Sequence, residues 1–191
     1  AKAAGLALDA DTFDPARLRC TPGQAADSCL TDAQIQAVKT LRSPFRFPYP
    51  LANGVTEYPG WGIGGEATPA MGPTGGWQAW WTGRAAPTLP PKPENGIAWI
   101  YGSGALQYFY ARDPAMDPRR ITPESVAARV REVSALMDAT NPDLRTFQQR
   151  GGKLILLEYM SDYAQSAYAG VQYREAVARR LGPRQPLEFM R

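Results

Sequence analysis

Histidine is absent from this 191-residue chain. Without an imidazole, a serine or cysteine nucleophile would have only carboxylates and a few lysines to take its proton, so the chain cannot by itself build a Ser-His or Cys-His pair. Cysteine is scarce as well, with Cys20 and Cys29 as its two copies. One cysteine pair and no histidine speak against a zinc site. No serine is flanked by glycine at both second positions, so the Gly-x-Ser-x-Gly elbow of a hydrolase is missing. Ser103 in Gly102-Ser-Gly104 comes nearest and reads as a tight turn. No stretch approaches the roughly 18 apolar residues of a membrane span, and the N-terminus lacks the basic-then-apolar build of a signal peptide. Runs of like charge are missing too. The net charge of +3 is spread thinly, and Arg129, Arg131, Arg174, Arg179 and Arg180 fall on expected helices as solvated faces, so neither nucleic acid nor membrane is expected as a partner.

What is present is enough apolar material for a core, 44% of the residues. Glycine and proline, 18 of each, concentrate between Ser43 and Asn95, which predicts irregular backbone there. Phe45, Phe47, Tyr49, Tyr58 and Trp61 sit in that stretch, followed by Gly75-Gly-Trp77-Gln-Ala-Trp-Trp81. Neither strand nor helix periodicity persists among them, so these rings are expected to pack the loop onto itself and a neighbour. Long loops inside compact domains are usually lids or binding surfaces.

Regular structure is expected on either side. Thr31-Asp-Ala-Gln34 is a capping box that opens a helix running to about Leu41, with Ile35, Val38 and Leu41 on one face. Trp99 to Tyr110 is apolar and fits helix or strand. Thr122-Pro123 opens a helix to near Asp138 with Val126, Val130, Val133 and Met137 on one side. Asn141-Pro142 caps a short helix carrying Leu144 and Phe147, ended by Gly151-Gly152. Lys153 to Leu157 reads as a parallel strand buried on both faces, with Asp162 just past its C-terminal end. Ser166 to Leu181 is a further helix with Val171, Val177 and Leu181 inward, and Leu187 to Met190 begins the next strand. Helix, strand, loop, helix is an α/β unit, whose ligand chemistry collects at the carboxyl ends of strands.

Two other groupings carry less. Asp9, Asp11 and Asp14 would suit calcium by their oxygens, but no glycine punctuates them as a tight loop requires, and solvated acids are the better reading. Glu158 and Asp162 lie close in sequence without a spacing specific to paired acid/base carboxylates. Cys20 and Cys29 enclose a polar loop of turn-forming residues; either they pair, restricting the unfolded chain by about 2 to 3 kcal/mol, or they are free thiols. The chain opens on Ala1-Lys-Ala-Ala, as a processed or excised piece would.

Several segments, in this order, resemble the tannase and feruloyl esterase family of α/β-hydrolases, which includes hydrolases of terephthalate monoesters. They are Phe13-Asp-Pro-Ala-Arg-Leu-Arg-Cys20, Cys29-Leu-Thr-Asp-Ala-Gln34, Tyr58-Pro-Gly60 with Gly65-Glu66, Gly75-Gly-Trp77 with Trp80 and Trp81, and Tyr108-Phe109 with Arg112-Asp-Pro114. Asn141-Pro-Asp-Leu144 and Arg150-Gly-Gly-Lys-Leu-Ile-Leu156 with Asp162 complete the set. The resemblance implies part of an α/β-hydrolase core, strand-helix units of a mostly parallel sheet, carrying a large irregular, tryptophan-rich lid insertion. Residues 1–140 would be the lid and 141–191 the C-terminal core segment. Of a serine-histidine-aspartate triad only the aspartate has a match, Asp162. Serine and oxyanion hole would precede Ala1 and the histidine would follow Arg191, so the chain alone is expected to be inactive and to need a further polypeptide segment or chain.

The implied substrate is a small aromatic ester, with Trp77, Trp80, Trp81, Trp99 and Tyr101 as the wall for its aryl group. A Cys20–Cys29 bridge and a secreted or periplasmic location also follow from the resemblance. Two departures stand out. Glu158-Tyr159 replaces the family's usual His-Gly, and the Asp-Gly-rich calcium loop has only a degenerate counterpart in Ala4-Gly-Leu-Ala-Leu-Asp9, so no cofactor is expected. A non-enzymatic module that holds an aromatic ligand or a partner protein is the alternative.

Overall fold

The structure, a computed structural model, describes residues 13–25, 27–67 and 75–191. Thr31 caps helix α1 (Asp32–Arg42) by the expected reciprocal box, its Oγ1 accepting from Gln34 N while Gln34 Oε1 takes Thr31 N. Ile35 and Val38 are its buried face. Ahead of it a disulfide joins Cys20 to Cys29 with a Cα–Cα distance of 4.8 Å, and Arg19 and Leu30 meet in a parallel bridge at its side. The pair is therefore a bridge, which ties the entry of α1 to the turn before it.

The glycine- and proline-rich stretch is largely irregular, as composition predicts, with one small hairpin. Strands β1 (Phe45–Arg46) and β2 (Glu57–Tyr58) are antiparallel, Phe45 opposite Tyr58. Gly60 is required where this segment crosses the end of α1, because a Cβ there would lie 2.2 Å from the Arg42 carbonyl. Trp61 stands edge-on to Trp81 at 4.9 Å and beside Tyr58 at 5.5 Å. The expected packing of rings in place of secondary structure is thus what holds this region.

The undecided stretch is helical. Helix α2 (Ile97–Gly104) runs directly into a wide π-type turn over Ala105–Ala111 that ends at Arg112 in the left-handed region, φ 54°. Helix α3 (Ala127–Met137) begins later than Thr122-Pro123 suggests. Thr122 and Ser125 hydrogen-bond each other's backbone N–H and close a separate turn first, a side-chain competition with helical bonding. Val133 is buried, whereas Met137 faces solvent, so the helix shows less of an apolar face than its spacing implied. Leu144, rather than Asn141, precedes the short α4 (Arg145–Gln149).

Two expectations need correcting at the C-terminal end. Lys153 to Leu157 forms a short parallel contact in place of a full strand: Leu154 N donates to Phe189 O, Arg191 N to Leu154 O, and Leu156 N to Arg191 O, at 2.7 to 2.9 Å. Nor is it buried on both faces. Leu154 and Leu156 turn inward while Ile155 is 81% and Leu157 67% exposed. Residues 187–189 are not strand either, since Pro186–Phe189 makes one helical turn, α6, before Met190 pairs with Leu154. Helix α5 (Tyr168–Leu181) packs Val177, fully buried, against Phe189 and Met190, with Leu144, Leu154, Leu156, Tyr173 and Leu181 around them.

The Asp143 carboxylate links α4 to α5 by accepting from both Arg145 and Arg180. Arg145 foremost, then Arg180, holds this carboxyl well below the usual carboxylate range. A carboxylate more acidic in the folded state than in the unfolded one stabilises above the unfolded pKa of about 3.9 and loses that contribution as pH falls below it. Asp143→Asn is therefore expected to lower the melting temperature at pH 6, with the gap to the parent narrowing as melts are taken from pH 4 towards pH 2.

Candidate functional site

Asp162 lies in the turn that follows the Leu154–Leu156 contact. Its Oδ1 accepts from Ala164 N at 2.8 Å and Gln165 N at 3.4 Å, and its own N–H donates to Tyr159 O. This is an Asx turn, a local reason for aspartate here. The carboxylate is half-buried and makes no ion pair among the described residues. It can still accept at Oδ2 from an incoming N–H, which is the geometry that orients an imidazole.

The turn is fastened to the aromatic stretch by three contacts that the sequence did not signal. Ser166, fully buried, donates its Oγ to Gly60 O at 2.7 Å, and its N–H donates to Tyr58 Oη at 2.8 Å. Tyr163 Oη donates to Gly64 O at 2.8 Å. Burial raises the Tyr58 phenol above its ordinary pKa, and the nearby carboxylates of Asp162 and Glu158 add to this. Burial pushes Tyr163 up to about 12, with Glu66 adding and the hydrogen-bonding Trp77 indole offsetting part of it. Both phenols are therefore neutral at ordinary pH, and Tyr163 keeps the proton it donates to Gly64 O. Glu158, which departs from the family's His-Gly, lies against the first turn of α5: a Cβ on Gly170 would stand 2.0 Å from its Oε1. Its other oxygen accepts from Gln165 Nε2 at 3.4 Å.

The five expected wall residues stand in different local settings. Trp77 is beside Tyr163, hence close to the Asp162 turn. Trp80 and Trp81 follow on a π-type turn, Gln78–Thr82, where Trp81 is committed to Trp61. Trp99 is half-buried with its Nε1 donating to Thr88 O at 2.9 Å, part of a folded loop organised by buried Asn95. Tyr101 is 70% exposed on α2. Among the described residues no three His, Cys, Asp or Glu side chains gather as metal ligands, and no helix is long and apolar enough to cross a membrane. Asp9, Asp11 and the stretch Ala4–Asp9 lie outside the described residues, and Asp14 accepts from Ala16 N as a helix cap.

Comparison with known proteins places these features in a family. The model of the tannase and feruloyl esterase family matches residues 7–191, so the chain belongs to the tannase and feruloyl esterase family. It is 28% identical over 172 residues to an uncharacterised esterase of Agrobacterium fabrum, covering 86% of this chain and 29% of that protein. To the mono(2-hydroxyethyl) terephthalate hydrolase of Piscinibacter sakaiensis it is 28% identical, covering 91% and 31%. The crystal structure of feruloyl esterase B from Aspergillus oryzae superposes with a TM-score of 0.66 at 22% identity, over 93% of this chain and 32% of that one, which shows a shared fold. The chain thus spans less than a third of the length of these relatives.

Ser166 is the hinge pin of the arrangement. Replacing it by alanine removes the donor to the Gly60 carbonyl and the acceptor of one bond from the Tyr168 N–H, which should cost about 1 to 3 kcal/mol in urea unfolding. Hydrogen exchange at Ala164 and Gln165 should accelerate in the same variant.

Proposed function

We propose that this chain is the lid, residues 1–140, together with the C-terminal core segment, residues 141–191, of a serine carboxylic ester hydrolase acting on small aromatic esters. The observation that carries the reading is the bare side of the 153–159 segment. Leu154 and Leu156 are packed and hydrogen-bonded, while Ile155, Leu157 and Tyr159 are 81%, 67% and 64% exposed and the N–H groups of Ile155 and Leu157 have no partner among the described residues. Apolar side chains along a strand that leads to Asp162 suit the inside of a sheet. A further segment or chain would cover them, and the same polypeptide would bring the serine and the histidine.

In the complete enzyme the serine attacks the ester carbonyl and forms an acyl-enzyme, the histidine moves the proton from serine to the leaving alcohol, and Asp162 holds the imidazole in the tautomer that accepts it. Trp77, beside Tyr163, offers a flat face for the aryl group, with Trp80, Trp81, Trp99 and Tyr101 shaping the lid around it. The disulfide fits export to an oxidising compartment, secreted or periplasmic. The names of the relatives support ester chemistry; the choice of acid and alcohol is this enzyme's own.

A second reading, a module that binds an aromatic ligand or a protein, is favoured by Tyr101, Tyr108 and Phe109, all more than half exposed along α2 and its π-type turn. Hydrolysis of methyl ferulate separates the two. The 191-residue chain is expected to show none. The complete reading frame is expected to turn over, with kcat falling roughly 10³- to 10⁴-fold in Asp162→Asn and little in Glu158→Gln. Hydrolysis by the short chain, or full activity of Asp162→Asn in the complete one, would remove Asp162 from the mechanism.

A further inference from the structure

Arg42, the last residue of α1, turns its guanidinium inward, with 13% of the side chain exposed. Nη2 donates to Glu66 Oε1 at 3.0 Å, and Cζ lies 5.7 Å from the centre of the Phe13 ring. Nε and Nη1 are buried and find no acceptor among the described residues. A buried ion pair with unmet donors is a poor source of stability. What this one does is hold the Glu66 carboxylate in place.

Both Glu66 oxygens accept from the Gly64 N–H, at 3.1 and 3.0 Å. The carbonyl of the same glycine accepts from Tyr163 Oη, and Tyr163 follows Asp162 directly in the chain. Gly64 and Gly65 have φ 133° and 77°, so the peptide between them has little conformational preference of its own. A Cβ on Gly65 would stand 2.8 Å from Ser161 Cβ. The loop therefore lies against both chain neighbours of Asp162, Ser161 and Tyr163, in a conformation that side-chain hydrogen bonds must fix. Glu66 supplies the charged one, and Arg42 anchors Glu66.

We infer that Arg42 and Glu66 are positioning residues for Asp162, fixing the Gly64 peptide so that its carbonyl holds Tyr163 and, through it, the turn that aims the Asp162 carboxylate. Their part in catalysis rests on Asp162 being the carboxylate that orients an imidazole. Charge at position 66 is essential to the device. A glutamine has one acceptor oxygen for two donors, Arg42 and the Gly64 N–H, and must turn its NH2 towards one of them.

The test uses the protein from the complete reading frame, with methyl ferulate. Glu66→Gln should lower kcat about 10- to 100-fold with KM nearly unchanged, the cost of displacing a positioned group by up to about 1 Å. The acid limb of its kcat/KM profile should move down by about 0.5 pH units or more, because an imidazole with a looser carboxylate partner is less basic. Loss of folded protein alone would scale the profile without moving it. Adding Arg42→Met removes the competing donor, and the double variant should recover kcat about threefold or more. In the 191-residue chain, Glu66→Gln should speed amide exchange at Ala164, whose N–H is held by Asp162 Oδ1, and the double variant should slow it again. No turnover by the complete protein, or full activity of Asp162→Asn, would remove the reading on which the device depends. With Asp162→Asn impaired, an unmoved acid limb, an unchanged kcat in Glu66→Gln, no recovery in the double variant or unchanged exchange at Ala164 would each overturn the device itself.

Discussion

The short parallel contact between Leu154–Leu156 and Phe189–Arg191 is the constraint on which the rest of the structure hangs. Three backbone hydrogen bonds fix the alternation of the 153–159 segment. Leu154 and Leu156 consequently enter the cluster built on Val177, Phe189 and Met190, and Ile155 and Leu157 point the other way. A register slip of one residue would exchange these faces. The same contact sets where the chain emerges at Tyr159 and turns, and the turn presents Asp162.

Position just past this contact would count for little if the turn could wander. Ser166, Tyr58 and Tyr163 bind it to the loop at Gly60–Gly64, and Gly60 in turn lies against the end of α1. The aromatic stretch, which has little regular backbone bonding of its own, is thereby anchored beside the cluster of Val177, Phe189 and Met190. Burial keeps the Tyr163 phenol neutral, so its bond to Gly64 O persists across the ordinary pH range. Glu158 packed over the first turn of α5 adds a carboxylate to the same neighbourhood, where family members usually carry His-Gly. Its closeness to Gly170 explains why no side chain stands at 170.

Local signals were the ones legible in the sequence. The Thr31–Gln34 box, the left-handed Gly151 at φ 76° and the start and stop of α5 depend on residues within a turn of one another. The order of the family's segments, from Phe13 to Asp162, pointed to the family to which the chain belongs. Tertiary burial was less accessible: Leu-Ile-Leu-Leu at 154–157 reads as buried on both faces because such a run carries no period, and only the fold shows that one face is bare. The tether of Ser166 to Gly60 spans 106 positions and leaves no mark in local pattern. The surroundings of the five expected wall aromatics were hidden for a related reason, since Trp81 and Trp99 find partners inside the irregular stretch that composition cannot assign.

On the proposed reading, the exposed face of the 153–159 segment is an interior surface to which other polypeptide belongs. Amide hydrogen exchange of Ile155 and Leu157 tests it most directly, measured in the 191-residue chain and in the protein from its complete reading frame. Rapid exchange is expected in the former and at least a hundredfold slowing in the latter, with Leu154 and Leu156 protected in both. Equal, rapid exchange of Ile155 and Leu157 in the two proteins would contradict it.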